Sequence, residues 1–130
     1  MSSTTRANLT GIANVMFAVT DQDAAITFYT EVLGFEKRMD MPFGEGDRWV
    51  EVALPGNETA IALVIPPEGQ PAMPGVVGVS TPDADAAHDA LQEKGAEVGD
   101  VMRWGPPVPT MFNVADPYGN HLWIVEAPPQ

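Results

Sequence analysis

Two stretches of this chain repeat the same order of structural signals. VTDQDAAITFYTEVLGF begins at Val19, and VSTPDADAAHDALQEKGA begins at Val79. Each stretch indicates the end of a strand, then a helix with acidic residues in its first turn, then a glycine that ends the helix. A supersecondary unit that occurs twice in one chain predicts two copies packed together, because neither copy buries its apolar face alone.

The residues at the helix ends support two separate helices. We expect Asp21 to cap the first helix and Gly34 to end it. In the second helix we expect Thr81 to be the cap, with Pro82 at the first helical position, where its missing N–H costs nothing. Gly95 is expected to end that helix.

Runs of strand-forming residues flank both helices. The expected strands are Ile12–Val19, Glu36–Met39, Arg48–Leu54, Thr59–Ile65, Val76–Ser80, Glu97–Arg103, Thr110–Ala115 and His121–Glu126. The order βαβββ therefore occurs twice, which predicts an α+β fold in one domain over residues 1–130. Its modules are expected over 9–66 and 75–127, with a proline-rich joint over 66–75. Each helix covers one sheet face only, so the antiparallel-rich sheets are expected to curl around a ligand cup.

The composition excludes several functional classes. The net charge of −12 repels nucleic-acid phosphate and anionic lipid, so neither nucleic acid nor membrane is expected as a partner. The same charge favours a cationic small molecule. The chain contains no cysteine, which excludes disulfides, thiolate metal ligands and a cysteine nucleophile. Without an apolar run of membrane-spanning length or a secretory signal, the expected location is cytoplasmic.

Two motifs carry a resemblance to a known family. DQDAAITFYTEVLGF, from Asp21, and DPYGNHLWIVE, from Asp116, resemble motifs of the vicinal oxygen chelate superfamily. That superfamily includes glyoxalases, extradiol dioxygenases, fosfomycin-modifying enzymes and bleomycin-resistance binding proteins. The resemblance extends over about residues 9–126 and implies paired βαβββ modules, a shared cup and a homodimer.

The resemblance also implies where a metal would bind. Metal-using members have a His, Gln or Glu ligand on each of four strands. Counting from the motifs puts Asn14, Ala62, Val76 and Trp123 at those positions in this chain. An asparagine carbonyl is a weak lone ligand, and the other three side chains offer a cation no lone pair. A shift of one residue restores no ligand set. We therefore expect neither a metal nor another cofactor.

Trp123 replaces a carboxylate with an indole and shares a strand face with His121. An indole offers a flat surface for stacking and for cation–π contact, or it fills the cup itself. The favoured function is a metal-independent binding protein that sequesters a bulky aromatic ligand, with a cationic one favoured, as in antibiotic resistance of the bleomycin type. The expected ligand-binding residues are Asn14, Met16, Trp49, Ala62, Val76, Met111, His121 and Trp123.

Two other functions remain open. The chain could be a metal-free isomerase or lyase acting on a natural-product intermediate. His121 and Glu51 would then transfer protons, and Asn14 would polarise a carbonyl. Alternatively, the chain could be an accessory subunit whose own side chains fill the cup. His88, on the second helix, is expected to face solvent. The residues leave open the ligand, the dimer arrangement and whether Trp123 stacks or fills.

Overall fold

The computed structural model describes residues 7–69 and 73–127 of the chain. Part of the expected joint, residues 70–72, lies outside the described residues. The elements follow the order βαβββ twice, as the repeat predicted. They are β1 (Asn14–Ala18), α1 (Gln22–Thr27), a π-helical turn (Phe28–Val32), β2 (Glu36–Phe43), β3 (Asp47–Ala53), β4 (Ala60–Val64), β5 (Val76–Thr81), α2 (Ala84–Glu93), β6 (Glu97–Val98), β7 (Met111–Ala115) and β8 (His121–Glu126).

The strands form two four-stranded mixed sheets. The first sheet has the order β1-β4-β3-β2, and the second has the order β5-β8-β7-β6. β1 pairs in parallel with β4, and β5 pairs in parallel with β8. The other strand pairings are antiparallel. Each half of the chain therefore builds one sheet of the same topology, which confirms the α+β fold. Within residues 7–69 and 73–127, neither helix is long and apolar enough to cross a membrane.

One buried cluster joins the two halves of the chain. Alternation along each strand sends every second side chain to the helix-bearing side of its sheet, where these side chains meet. Burying an aliphatic or aromatic side chain of this size contributes roughly 1.5–3 kcal/mol. The largest members are Tyr29, Phe17, Phe112, Leu63, Leu122, Val19, Val50, Val52 and Val114.

A buried polar network at the turn between β7 and β8 also crosses between the halves. The Tyr29 hydroxyl donates to Asp116 Oδ2 at 2.8 Å, and the Asn120 amide donates to the same oxygen at 2.9 Å. The Asn120 amide also donates to the Ala18 carbonyl, while its own oxygen accepts the N–H of Gly75. Burial, and then the neighbouring Asp116, raises the pKa of Tyr29 well above its usual range. Satisfied networks of this kind fix one arrangement of the packed elements.

A capping aspartate begins the first helix, and a glycine in the left-handed conformation follows each helix. The Asp21 carboxylate accepts the N–H of Ala24 at 3.0 Å, so the first cap is the expected one. Gly34 and Gly95 follow the two helices with φ of 82° and 89°. That left-handed conformation is easily reached only without a Cβ, so the glycines end both helices as expected.

The expected start of the second helix is wrong by two residues. The cap is Asp83, whose carboxylate accepts the N–H of Ala86 at 3.0 Å from an extended backbone with φ of −148°. Thr81 is the last residue of β5, and Pro82 precedes the cap instead of opening the helix. Aspartate competes well for this role because its carboxylate also interacts favourably with the helix dipole.

Two strand ends differ from expectation by more than two residues. β2 continues to Phe43 instead of ending at Met39, because its ladder with β3 runs up to the turn. Pro42 is tolerated there because β2 is an outer strand, where a missing N–H need not break a ladder. β6 ends at Val98, well before Arg103, since the Gly-Asp pair that follows favours a break in the strand.

His88 was expected to face solvent, but in the structure it is largely buried. Its side chain is 18% exposed. The imidazole packs edge-to-face against Phe112, with ring centroids 5.3 Å apart. The residue therefore contributes to the contact between α2 and the second sheet.

Candidate ligand-binding faces

Each sheet has one face that no helix covers. In the first sheet this face carries Asn14, Met16, Trp49, Glu51 and Ala62, and we call it the first open face. In the second sheet the corresponding second open face carries Val76, Gly78, Met111, Asn113, His121 and Trp123. These residues alternate along their strands with the buried residues of the core.

The first open face has an apolar floor and one acid. Ala62 lies between Met16 on β1 and Glu51 on β3, its partners in the strand register. Met16 is 57% exposed, whereas Ala62 is fully buried between larger neighbours. The indole N–H of Trp49 donates to Glu51 Oε2 at 2.7 Å. This bond holds the carboxylate beside an aromatic ring, an arrangement that suits a cation.

The second open face has an indole and an oriented imidazole. Trp123 lies between Gly78 on β5 and Asn113 on β7. The Nδ1 atom of His121 is 2.6 Å from Asn113 Oδ1. Because an amide oxygen only accepts hydrogen bonds, Nδ1 is the donor in this contact, and Nε2 is an acceptor whenever the ring is neutral. His121 and Trp123 are both half-buried, so each presents part of its ring outside the core.

The predicted site residues therefore fall into two groups, one on each sheet. The hydrogen-bond partner of His121 is Asn113 on the same sheet, and not Glu51 or Asn14, the other two residues of the enzyme hypothesis. Asn113 and Gly78 were not predicted as site residues. The alternation in MFNVA does place a polar side chain on the open side of β7, but its pairing with His121 depends on the strand register.

The two open faces correspond position by position. Asn14 pairs with Ala60, and Val76 pairs with His121. Ala62 and Trp123 each lie two residues beyond those partners. The four positions counted from the family motifs therefore occupy equivalent places in the two sheets, although this equivalence does not test any role in binding.

The side chains at these four positions do not fit a divalent metal. Only Asn14 offers an oxygen, and the alanine, valine and tryptophan offer a cation no lone pair. In the part of the chain that the structure describes, no three His, Cys, Asp or Glu residues come together in a way that could hold a metal ion.

Two of the larger cavities among the described residues were not predicted. A groove of about 300 Å³ separates the end of the π-helical turn from α2, with Val32, Leu91 and Lys94 in its wall. A seam cavity of about 230 Å³ lies between the two sheets, where Thr59 and the backbone of Gly78 border it. The expected ligand-binding residues line neither cavity.

Residues 11–124 match the sequence profile of the Glyoxalase/Bleomycin resistance protein/Dioxygenase superfamily. The chain belongs to this superfamily. The resemblance found in the two motifs is thereby confirmed, and the glyoxalase/bleomycin-resistance fold accounts for the paired βαβββ sheets. Membership does not assign a reaction, because this superfamily contains both enzymes and binding proteins.

Similar proteins include both sequence relatives and solved structures. YetH, an uncharacterized protein of Bacillus subtilis (strain 168), is 33% identical over 122 residues, which are 88% of this chain and 97% of YetH. TnmS3, an antibiotic binding protein from Streptomyces sp. CB03234, is 30% identical with a TM-score of 0.80, over 93% of this chain and 98% of its own. A superfamily member from Sphaerobacter thermophilus DSM 20745 is 30% identical with a TM-score of 0.79, over 92% and 98% of the two chains.

Proposed function

We propose that this glyoxalase/bleomycin-resistance protein binds a bulky, aromatic, cationic small molecule without a metal and sequesters it unchanged. The observation that carries the proposal is Trp123, half-buried on an open sheet face at a position where metal-using relatives have a carboxylate. The expected site of action is the cytoplasm, where a sequestered antibiotic would no longer reach its target. Sequestration needs only binding free energy, which burial of apolar area and stacking supply.

The chemistry of the two faces supports a cationic aromatic ligand. Trp123 offers a stacking surface, Met16 an adaptable apolar one, and Glu51 a negative charge. The net charge of −12 attracts cations over longer distances. The similarity to TnmS3, an antibiotic binding protein, agrees with this ligand class.

We propose further that a second copy of the chain completes the cup. Met16, Met41, Val76 and Trp104 are between 55% and 62% exposed. Exposed apolar groups on the two sheet faces and, for Trp104, on the segment between β6 and β7 are typical of surfaces that meet a partner or a ligand. We expect sedimentation velocity to give the mass of two chains at micromolar concentration. A single-chain mass under those conditions would contradict a dimeric cup.

A thermal-shift screen tests the proposed binding. We expect doxorubicin and proflavine, which are aromatic and cationic, to raise Tm, and kanamycin, which is cationic without an aromatic ring, to raise it less. Trp123→Ala should remove most of the shift, because the stacking surface is lost. Zn²⁺, Ni²⁺ and Mn²⁺ should give no shift. Stabilisation by a metal alone, or by none of these compounds, would refute the proposal.

The His121–Asn113 hydrogen bond keeps a second function under consideration. An imidazole whose Nε2 is an oriented acceptor is suited to general base catalysis. Such a metal-free isomerase or lyase would act on a natural-product intermediate, with Glu51 as the second proton-transfer group. Mass spectrometry of each stabilising compound after incubation separates the two functions. Conversion that is lost in His121→Gln would favour the enzyme, whereas unchanged compound favours the binder.

A further inference from the structure

Gly78 lies in the middle of β5, where a glycine is unexpected. A glycine inside a strand weakens the strand, because it has no side chain to pack and loses more conformational freedom on folding. In known proteins such a glycine usually marks a bulge, a special backbone angle, or a place where another group approaches the backbone closely.

The structural reasons for a glycine do not apply at this position. The register between β5 and β8 is continuous through Gly78 and Trp123, so the strand has no bulge. The backbone of Gly78 does not have a positive φ, unlike that of Gly95. A Cβ added to Gly78 would have no heavy atom within 4 Å among the described residues. Gly75, only three positions earlier, is different, since a Cβ there would overlap the ring of Phe17.

The space above Gly78 is next to the indole of Trp123. The two residues are partners in the register of two parallel strands, and neighbouring strands lie about 4.8 Å apart. Here one partner has no side chain, so Gly78 offers the indole no side-chain contact and the space above the glycine is open. At the equivalent place on the first open face the sizes are reversed, because Met16 projects beside the small Ala62.

We propose that Gly78 is a specificity-determining residue, and that it keeps open a slot beside Trp123 for the flat ring system of a planar, polycyclic aromatic cation. This inference rests on the proposed function and adds the shape of the ligand to it. The indole forms one wall of the slot and the bare backbone of β5 forms its floor. A branched or saturated molecule of the same charge fills such a slot poorly, so planarity is what the slot selects.

Substitutions that fill the slot test this inference. We expect Gly78→Val to weaken binding of proflavine and doxorubicin at least about tenfold, because the added methyl groups occupy the place of the ring. Gly78→Ala should weaken it less. Neither variant should lower Tm in the absence of ligand, since the new side chain meets nothing. Affinity is measured from the change in ligand fluorescence on titration.

Ser80→Val is the matched control. Ser80 projects from the same face of β5 one pleat further along, and it also borders the seam cavity. The Ser80→Val variant should bind both planar compounds with an affinity within about twofold of the wild type, because the changed side chain does not contact a ligand in the slot. If Gly78→Val binds them as tightly as the wild type does, while Trp123→Ala loses binding, the slot is refuted and the proposed function survives. Loss in Ser80→Val with no loss in Trp123→Ala would place the ligand in the seam cavity and also refute the slot.

The remaining outcomes are equally decisive. Binding of kanamycin without binding of either planar compound would overturn the slot but not small-molecule binding as such. If none of the three compounds binds, the proposed function itself fails. If Gly78→Val changes the sedimenting mass from two chains to one, another backbone and not a ligand approaches the glycine, and the slot is overturned.

Discussion

Gly75 lies where the end of the joint passes over β1, and packing fixes its identity. A Cβ at this position would overlap the Phe17 ring and lie 3.2 Å from the Met16 carbonyl oxygen. We expect Gly75→Ala to lower the free energy of unfolding by about 1–3 kcal/mol, since Phe17 belongs to a fully buried core. Urea denaturation measures the change. Gly78→Ala is the control and should not lower the free energy of unfolding, since a Cβ there meets nothing. Equal stability of both variants would show that the Phe17 ring can move aside at little cost, which contradicts the prediction.

Tyr29 donates one of the two side-chain hydrogen bonds that Asp116 Oδ2 receives. We expect Tyr29→Phe to cost about 1–2 kcal/mol, because it removes a buried bond to a carboxylate while the ring still fills its place. The control is Tyr118→Phe, whose hydroxyl makes an exposed 3.3 Å contact with the Asp21 carbonyl. If the two variants unfold at the same urea concentration, the buried network contributes nothing to stability.

At the scale of single residues, the sequence predicts roles that depend on near neighbours. Asp21 was predicted as a cap because a cap needs only the next three residues. Tyr118, by contrast, gave no sign of its contact with Asp21, and Asn113 gave no sign of its bond to His121. Those contacts depend on which strands are neighbours and in what register, and no local pattern contains that information.

Substitutions at the start of α2 test whether Asp83 or Thr81 caps the helix. Asp83→Ala should destabilise the protein by about 1 kcal/mol, because the N–H of Ala86 loses its acceptor. Thr81→Ala should have a smaller effect. The Thr81 hydroxyl accepts a long hydrogen bond of 3.4 Å from the Asp83 N–H and bonds none of the N–H groups of the first helical turn. Thermal unfolding of the two variants compares them directly. The reverse order of Tm would restore Thr81 as the cap.

An ion pair between Arg48 on β3 and Asp40 on β2 should make the stability of this hairpin depend on pH. Arg48 donates two hydrogen bonds to Asp40, which holds the pKa of that carboxyl below its usual value of 3.8. A lowered pKa means that the contribution to stability is present at neutral pH and is lost as pH falls through the folded-state value. The stability difference between wild type and Asp40→Asn should therefore shrink below about pH 4. A difference that stays constant from pH 7 to pH 3 in urea titrations would contradict this.

Element types were predictable, whereas several element ends were not. The periodicity of apolar residues located both helices and the region of every strand. β2 is longer than expected because pairing with β3 carries it through Pro42, and β6 is shorter because pairing with β7 is interrupted after Val98. Strand ends depend on the partner strand, which lies elsewhere in the sequence.

For the molecule as a whole, the internal repeat was the most informative feature. It predicted two βαβββ units, and the structure has two sheets of identical topology. The repeat did not predict how the units join, because the network of Tyr29, Asp116 and Asn120 links side chains of both halves and is not part of the repeated pattern. It also did not predict the seam cavity, since cavities arise from imperfect packing between units and leave no periodic pattern in sequence.

We propose that the open faces hold an organic ligand without a metal and without changing it. Equilibrium dialysis of doxorubicin against the protein, with and without EDTA, followed by mass spectrometry of the recovered compound, tests this most directly. The predicted result is equal retention in both conditions and recovery of intact doxorubicin. Retention that disappears with EDTA, or recovery of a converted product, would contradict the claim.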